Sequence, residues 1–231
     1  MNIKTYLRKF SPRAWSNDEL RKLKNYFPKN SRIINVGGWE DKDKEGGFYK
    51  DYFPNPVIYH VANYPGDSKR GTNVRTDLTI DLTKSLPGDL YFKYDIALTH
   101  TVLEHVPDPV FSFAQIGKLS RDIIITVVPF KQHLHFEPES YGDYYRFSPF
   151  SMRKLHKDND FNILYESYMP IPSLDVYLFY VGTRFSERYR NFPIKLNHIL
   201  DLNEIVGKMP IYSLLQNIIQ RFITKYLIKT Q

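Results

Sequence analysis

Cysteine is absent from the 231-residue chain. That excludes disulfides, thiolate metal sites and a cysteine nucleophile, and it suits a reducing compartment. Long apolar runs are absent as well. No window approaches 18 apolar residues, and the opening MNIKTYLRKF lacks the unbroken apolar stretch of a signal peptide. The expected location is therefore the cytoplasm. No block of five basic residues occurs, so the formal charge of +7 is spread over the surface. A cationic surface of this kind favours phosphorylated substrates or the inner face of a membrane, and nucleic acid is not expected as a partner. The third glycine of a dinucleotide fingerprint is missing too: INVGG at 34–38 runs into Trp39 and a charged stretch from Glu40 to Glu45. A nicotinamide site, which wants three glycines and an acid about 20 residues on, is disfavoured.

What is present reads as an ordinary globular chain with one sizeable core. Ser16-Asn17-Asp18-Glu19 has the form of a capping box, followed by Leu20, Leu23 and Phe27 at helical spacing. Four short runs follow: RIINVG (32–37), VIYHVA (57–62), YDIALT (94–99) and DIIITVV (122–128). Each is apolar along its length rather than alternating, the pattern of strands covered on both faces in a parallel sheet. PVFSFAQIGKL (109–119) predicts a helix with proline in its first turn, and Ser148-Pro149 opens another through about His156. FNILYESYM (161–169) and VYLFYVGTRF (176–185) predict an antiparallel strand pair. The expected fold is α/β: a doubly wound, Rossmann-like, mostly parallel sheet with an antiparallel hairpin at one edge. Residues 1–185 form this domain, with a helical lead-in over about 1–30. Residues 186–231 form a helical extension whose apolar positions recur at three- and four-residue steps from Pro210. Packing on its own domain, a homodimer contact and a membrane-surface contact all remain open for that helix.

The centre of the chain resembles a known family. YDIALTHTVLEHVPDP (94–109) is similar to the segment after the fourth strand of class I methyltransferases that use S-adenosylmethionine. ITVVPF (125–130) resembles that family's fifth strand, and His135 followed by DYYRFSP (143–149) resembles a subgroup found near glycan-assembly enzymes. INVGG occupies the position of the glycine motif. The resemblance covers about residues 30–185 and implies a seven-stranded sheet, S-adenosylmethionine as cofactor and methylation of a hydroxyl on a sugar or glycan precursor, phosphorylated or lipid-linked acceptors included. Two departures stand out. The first loop does not continue Gly-x-Gly, and Asn63 stands where an acid that binds the ribose is usual. Both leave room for a second reading, a catalytically inactive methyltransferase-like domain that acts as an interaction module.

Gly37 and Gly38 would let the backbone pass close to the cofactor, although a tight strand-to-helix turn needs glycine for the same steric reason. The resemblance puts Asp81 beside the adenine amino group, with Asp77 as a rival and turn capping as the alternative for both. Thr99, His100 and Thr101 leave the fourth strand at the end where ligands sit in open α/β sheets. Glu104 holds a loop or touches the cofactor, and His105 shapes the cofactor floor. His133, His135 and Glu137 alternate along an extended segment and would point to one side, which suits a divalent metal as well as a base, with a solvated loop as the alternative. The resemblance favours His135 as the acceptor-side base, supported by Asp143, over a metal site. Tyr144, Tyr145 and Arg146 then form a substrate wall of aromatic faces and an anion-binding fork, the alternatives being core packing and an internal Arg146–Asp143 pair.

Overall fold

The computed structural model describes Arg8 and residues 10–66, 76–138, 141–169 and 176–193. The helix expected from Pro210 onward lies outside them. Among the described residues no helix is long and apolar enough to cross a membrane.

Seven strands form one sheet: β1 (Arg32–Val36), β2 (Ile58–Asn63), β3 (Leu78–Thr79), β4 (Tyr94–His100), β5 (Ser120–Lys131), β6 (Asn162–Tyr168) and β7 (Val176–Thr183). Their order across the sheet is β3-β2-β1-β4-β5-β7-β6. All neighbours pair in parallel except β7, which runs antiparallel to both β5 and β6. The doubly wound mixed sheet expected from the unbroken apolar runs is thus observed. Strand order reverses beside β1 and β4, and that is where an open α/β sheet leaves a crevice at its carboxyl edge.

Helices cover both faces, which explains why β1, β4 and β5 carry no alternation. On one face α2 (Pro109–Leu119) and α3 (Pro149–Asp158) bring Phe113, Ile116, Met152 and Leu155 against Ala97, Ile124, Val128 and Tyr180. On the other, α1 (Pro12–Leu23) sets Leu20 and Leu23 with Phe27, Tyr49 and Phe53 against Ile33, Val61, Ile96 and Leu98. Asp108 and Ser148 cap α2 and α3, each accepting from a backbone N–H three residues on, with proline at the first position. The capping box at Ser16 is not used. Ser11 caps α1 instead, ahead of Pro12, and Ser16 lies inside the helix with its hydroxyl buried against the Arg13 carbonyl. Ser11-Pro12 wins because proline cannot sit deeper in the helix.

His156 of α3 is fully buried, its Nδ1–H donating to the Met152 carbonyl, and burial pushes its pKa down to about 4. A histidine with a depressed folded pKa stabilises the fold above its unfolded value near 6.5, and that stability is lost as pH falls toward 4. His156→Leu is therefore expected to flatten the loss of stability between pH 6.5 and 4 by about 3 kcal/mol, read by urea denaturation across that window. An unchanged slope would remove His156 from the acid response.

Candidate functional site

Because β1 to β5 are parallel, the loops that follow each of them gather at one edge. The first leaves β1 at Gly37, which has φ of +71° and whose N–H donates to the Ala62 carbonyl at 2.7 Å. A Cβ on Gly37 would stand 2.4 Å from Val102 Cγ2, and one on Gly38 would stand 2.5 Å from Asn35 Nδ2. The two glycines are required by the protein's own β4 loop and β1 side chain. Gly37→Ala, which adds the left-handed strain to the collision with a stiff valine, is expected to cost about 2–3 kcal/mol in urea denaturation. A loss below about 0.5 kcal/mol would show that the turn can relax.

No helix follows the glycines. Trp39, Asp41 and Lys44 all have positive φ, and the loop closes through a short turn at Tyr49–Tyr52. Two buried carboxylates hold it. Asp41 accepts from Tyr59 Oη at 2.6 Å and Asn35 Nδ2 at 2.8 Å. Asp43 accepts from the Glu45 and Gly47 N–H groups and Tyr52 Oη, and although burial alone would raise its pKa, those donors lower it. Part of the charged stretch is therefore internal scaffolding rather than a solvated face. Asn63, the last residue of β2, accepts from the Trp39 N–H at 2.8 Å and donates to the Trp39 carbonyl at 3.1 Å and to Thr76 at 3.0 Å. Its amide is committed to fixing Trp39.

Across the end of β4 lies a residue that the sequence reading passed over. Arg13 Nη1 reaches Tyr49 Oη at 2.9 Å and His100 Nδ1 at 2.7 Å, and Nη2 reaches Thr101 Oγ1 at 3.1 Å. Since a guanidinium only donates, Nδ1 of His100 must accept, and its Nε2–H then donates to Ser16 Oγ at 2.8 Å. Burial, with Arg13 and Lys44 adding, pushes the His100 pKa well below its ordinary value, so the ring is a neutral acceptor that aims Arg13. All three partners of Arg13 are neutral, and no carboxylate pairs with it among the described residues. Lys44 stands near enough for burial and Arg13 to lower its pKa. Two cations thus share one corner of the edge, with the Glu104 carboxyl the acid that acts on Arg13.

Glu104 sits on the short turn Leu103–His105 just past Thr101 and is fully buried, with neither carboxyl oxygen hydrogen-bonded. Burial pushes its pKa up to about 8 and Asp143 adds to the rise, while its own backbone N–H, Arg13 and Arg146 oppose it. His105 Nε2 stands 3.8 Å from Oε1. His105 Nδ1 is 2.6 Å from the Gly142 carbonyl and so carries the proton, and burial lowers the pKa of the ring.

The segment after β5 brings His135 to the same place. Its ring stacks edge-on against His105 at 5.6 Å and Tyr141 at 5.7 Å, with Tyr141 Oη 3.3 Å from Nε2. Asp143 accepts from the His135 main-chain N–H at 2.7 Å rather than touching the ring. Its carboxylate is forked by Arg146, whose Nη2 is 2.8 Å away, and this pairing outweighs burial to lower the Asp143 pKa. Asp143 therefore meets His135 through the main chain and not through the imidazole. Arg146 also donates to the Gln132 and His133 carbonyls, so its fork is used internally. Tyr144 and Tyr145 are exposed beside it, Tyr145 donating to the Pro107 carbonyl.

His133, His135 and Glu137 do not converge: among the described residues no group of three such side chains could hold a metal ion. Glu137 instead pairs its backbone with Tyr141. Asp81 accepts from the Thr83 N–H at 3.0 Å and hydroxyl at 2.6 Å and pairs with Lys84, which together outweigh burial and lower its pKa. Asp77 accepts from the Val61 N–H at the edge of β2. Thr99 is buried with its hydroxyl lacking a partner.

No family model matches the chain, and no curated protein matches it in sequence. Its fold does match solved structures. The 1,6-didemethyltoxoflavin-N1-methyltransferase of Burkholderia thailandensis, solved with bound 1,6-didemethyltoxoflavin and S-adenosylhomocysteine, superposes with a TM-score of 0.52 at 15% identity, over 75% of this chain and 78% of that one. An S-adenosylmethionine-dependent methyltransferase from Methanosarcina mazei gives 0.50 at 13% identity, over 71% and 96%. The magnesium protoporphyrin IX methyltransferase of Synechocystis, solved with S-adenosylmethionine, gives 0.49 at 14% identity, over 74% and 79%. The fold is that of the class I S-adenosylmethionine-dependent methyltransferases.

Proposed function

We propose that the protein is an S-adenosylmethionine-dependent methyltransferase that methylates a hydroxyl of a sugar or glycan precursor. The observation that carries the donor half is Arg13: a guanidinium fixed across the end of β4 by neutral partners and, among the described residues, hydrogen-bonded to no carboxylate. A ligand carboxylate such as that of methionine satisfies it, with Thr101 and Lys44 alongside. The Gly37 turn packs against Val102 and so fixes the loop after β1, and Asn63 contributes by holding Trp39. The donor supplies a methyl group already activated by a sulfonium, so the protein's work is alignment, exclusion of water and removal of a proton. His135, with Tyr141 and His105 around its ring, is the proposed base, and Asp143 fixes its main chain. The exposed faces of Tyr144 and Tyr145 suit a sugar ring or the apolar part of a lipid-linked acceptor.

One observation favours the second reading, an inactive interaction module: the Asn63 amide is spent on Trp39. Methyl-labelled donor incubated with the protein and separate pools of phosphorylated and lipid-linked sugars, small molecules and nucleic acid decides between them. Base-stable label in a sugar pool is the expected result. Label confined to another pool overturns the acceptor class, and label in none favours the module.

A further inference from the structure

Ser16, which does not cap α1, has a different use. It is fully buried, and its hydroxyl proton goes to the Arg13 carbonyl at 2.9 Å. Its oxygen is then left to accept from His100 Nε2, 2.8 Å away, so Nε2 carries the ring proton. Arg13 Nη1, which only donates, meets Nδ1 at 2.7 Å and requires the same tautomer from the other side. Thr101 is arranged likewise. Its hydroxyl, 3.3 Å from Nδ1, donates to the nearer His100 carbonyl at 2.7 Å, which leaves the oxygen to accept from Arg13 Nη2 at 3.1 Å. The Thr101 backbone has φ of +54° there, while its N–H still pairs with the Val127 carbonyl at 2.8 Å. A β-branched residue in the left-handed region is strained, and strain of this kind clusters at functional sites. Since Nη1 also serves Tyr49, the guanidinium keeps its Nε–H and one Nη2–H, for which no described residue supplies an acceptor.

We infer that His100 and Thr101 are positioning residues for a ligand carboxylate: they hold the Arg13 guanidinium in one orientation, and Ser16 selects the His100 tautomer that makes this possible. The role presupposes the methyltransferase reading, in which the carboxylate is that of the donor's methionine end. An arginine side chain free to rotate loses that freedom when it binds, whereas one already held loses little, so the seat raises affinity without adding a contact. The other tautomer would turn an Nδ1–H toward Nη1, setting two donors face to face and displacing the guanidinium. Strain at Thr101 is the stability cost of aiming Oγ1 at Nη2. Both residues act through Arg13, so a ligand that lacks a carboxylate must be indifferent to them. General loosening of the site would weaken every ligand alike.

The test is calorimetric titration of the full chain with S-adenosylmethionine, S-adenosylhomocysteine and 5′-methylthioadenosine, the last of which has no carboxylate. Ser16→Ala and His100→Leu are expected to bind the first two about tenfold more weakly, the worth of one hydrogen bond to a charged group, and the third within about twofold of wild type. His100→Asn, whose amide oxygen can stand in for Nδ1, is expected to keep affinity within about threefold. Thr101→Gly removes Oγ1 and the strain together, so it is expected to lose about tenfold in donor affinity yet melt no lower than wild type. Nitrogen-15 NMR of the histidine rings, with His100→Asn to assign the signal, must show the proton on Nε2. The opposite tautomer, equal weakening for all three ligands, or full affinity in His100→Leu overturns the assignment. Where a variant fails to fold or the third ligand binds too weakly to read, the wild-type tautomer and the opposed stability and affinity of Thr101→Gly decide. Binding of none of the ligands by wild type overturns the methyltransferase reading itself, whereas donor binding that ignores these residues overturns only their role.

Discussion

Arg13→Ala is expected to weaken S-adenosylmethionine binding about 100-fold while leaving the fold intact. Removing one partner of a desolvated, hydrogen-bonded charge pair typically costs about 2–5 kcal/mol, and each 1.4 kcal/mol is tenfold in affinity. The guanidinium gives three of its five N–H groups to Tyr49, His100 and Thr101 and hydrogen-bonds no carboxylate among the described residues, so its charge and its remaining N–H groups are left for a ligand. Because the methionine carboxylate survives methyl transfer, S-adenosylhomocysteine must lose affinity by a similar factor. Arg13→Lys keeps the charge but not the planar fork, and about a tenfold loss is expected. Calorimetric titration of the three proteins, with thermal unfolding as the folding control, reads all of this. Undiminished affinity in a folded Arg13→Ala protein would move the carboxylate site elsewhere.

His135→Ala is expected to lower turnover about 10²–10⁴-fold while donor affinity stays within about twofold, since a general base acts on the acceptor and not on the donor. The ring has the surroundings for this role: Tyr141 Oη at 3.3 Å from Nε2, the His105 ring edge-on, and the Asp143 carboxylate fixing the main-chain N–H. Asp143→Asn should act more weakly, because it holds the backbone of His135 and the fork of Arg146 rather than the imidazole. The readout is single-turnover transfer of labelled methyl to whichever acceptor pool takes it. Parallel loss of donor affinity and turnover in His135→Ala would mean that the residue supports the donor pocket and is not the base.

Most of the fold was legible because burial on both faces leaves a plain mark. Ile33–Val36, Ile96–Leu98 and Ile123–Val128 carry no polar alternation, and each is a central strand. Pro109 and Pro149 mark the starts of α2 and α3 because proline there forfeits no hydrogen bond. The two-residue strand β3 is too short to leave a pattern. The loop from Trp39 to Tyr52 was misleading for a physical reason: Asp41 and Asp43 look like solvated charge, yet backbone N–H groups and tyrosine hydroxyls make them internal caps. Arg13 did leave a trace. Together with Ser16 and Asn17 it continues, at helical spacing, the face of Leu20 and Leu23, and a charge carried onto a buried stripe must meet something polar beneath it. What it meets, His100 and Thr101, is 87 and 88 residues away, and no local pattern records so distant a contact. The burial of Glu104 was equally silent, since a glutamate on a short turn is ordinarily exposed.

The central claim is that the carboxyl edge of the sheet, beside Arg13, receives S-adenosylmethionine. Calorimetric titration of the purified chain with that donor at pH 8 tests it most directly. A saturable isotherm with one ligand per chain, lost in Arg13→Ala, is the predicted result; absence of heat and of any thermal stabilisation at about 1 mM donor, where even a binding energy of about −4 kcal/mol would register, contradicts it.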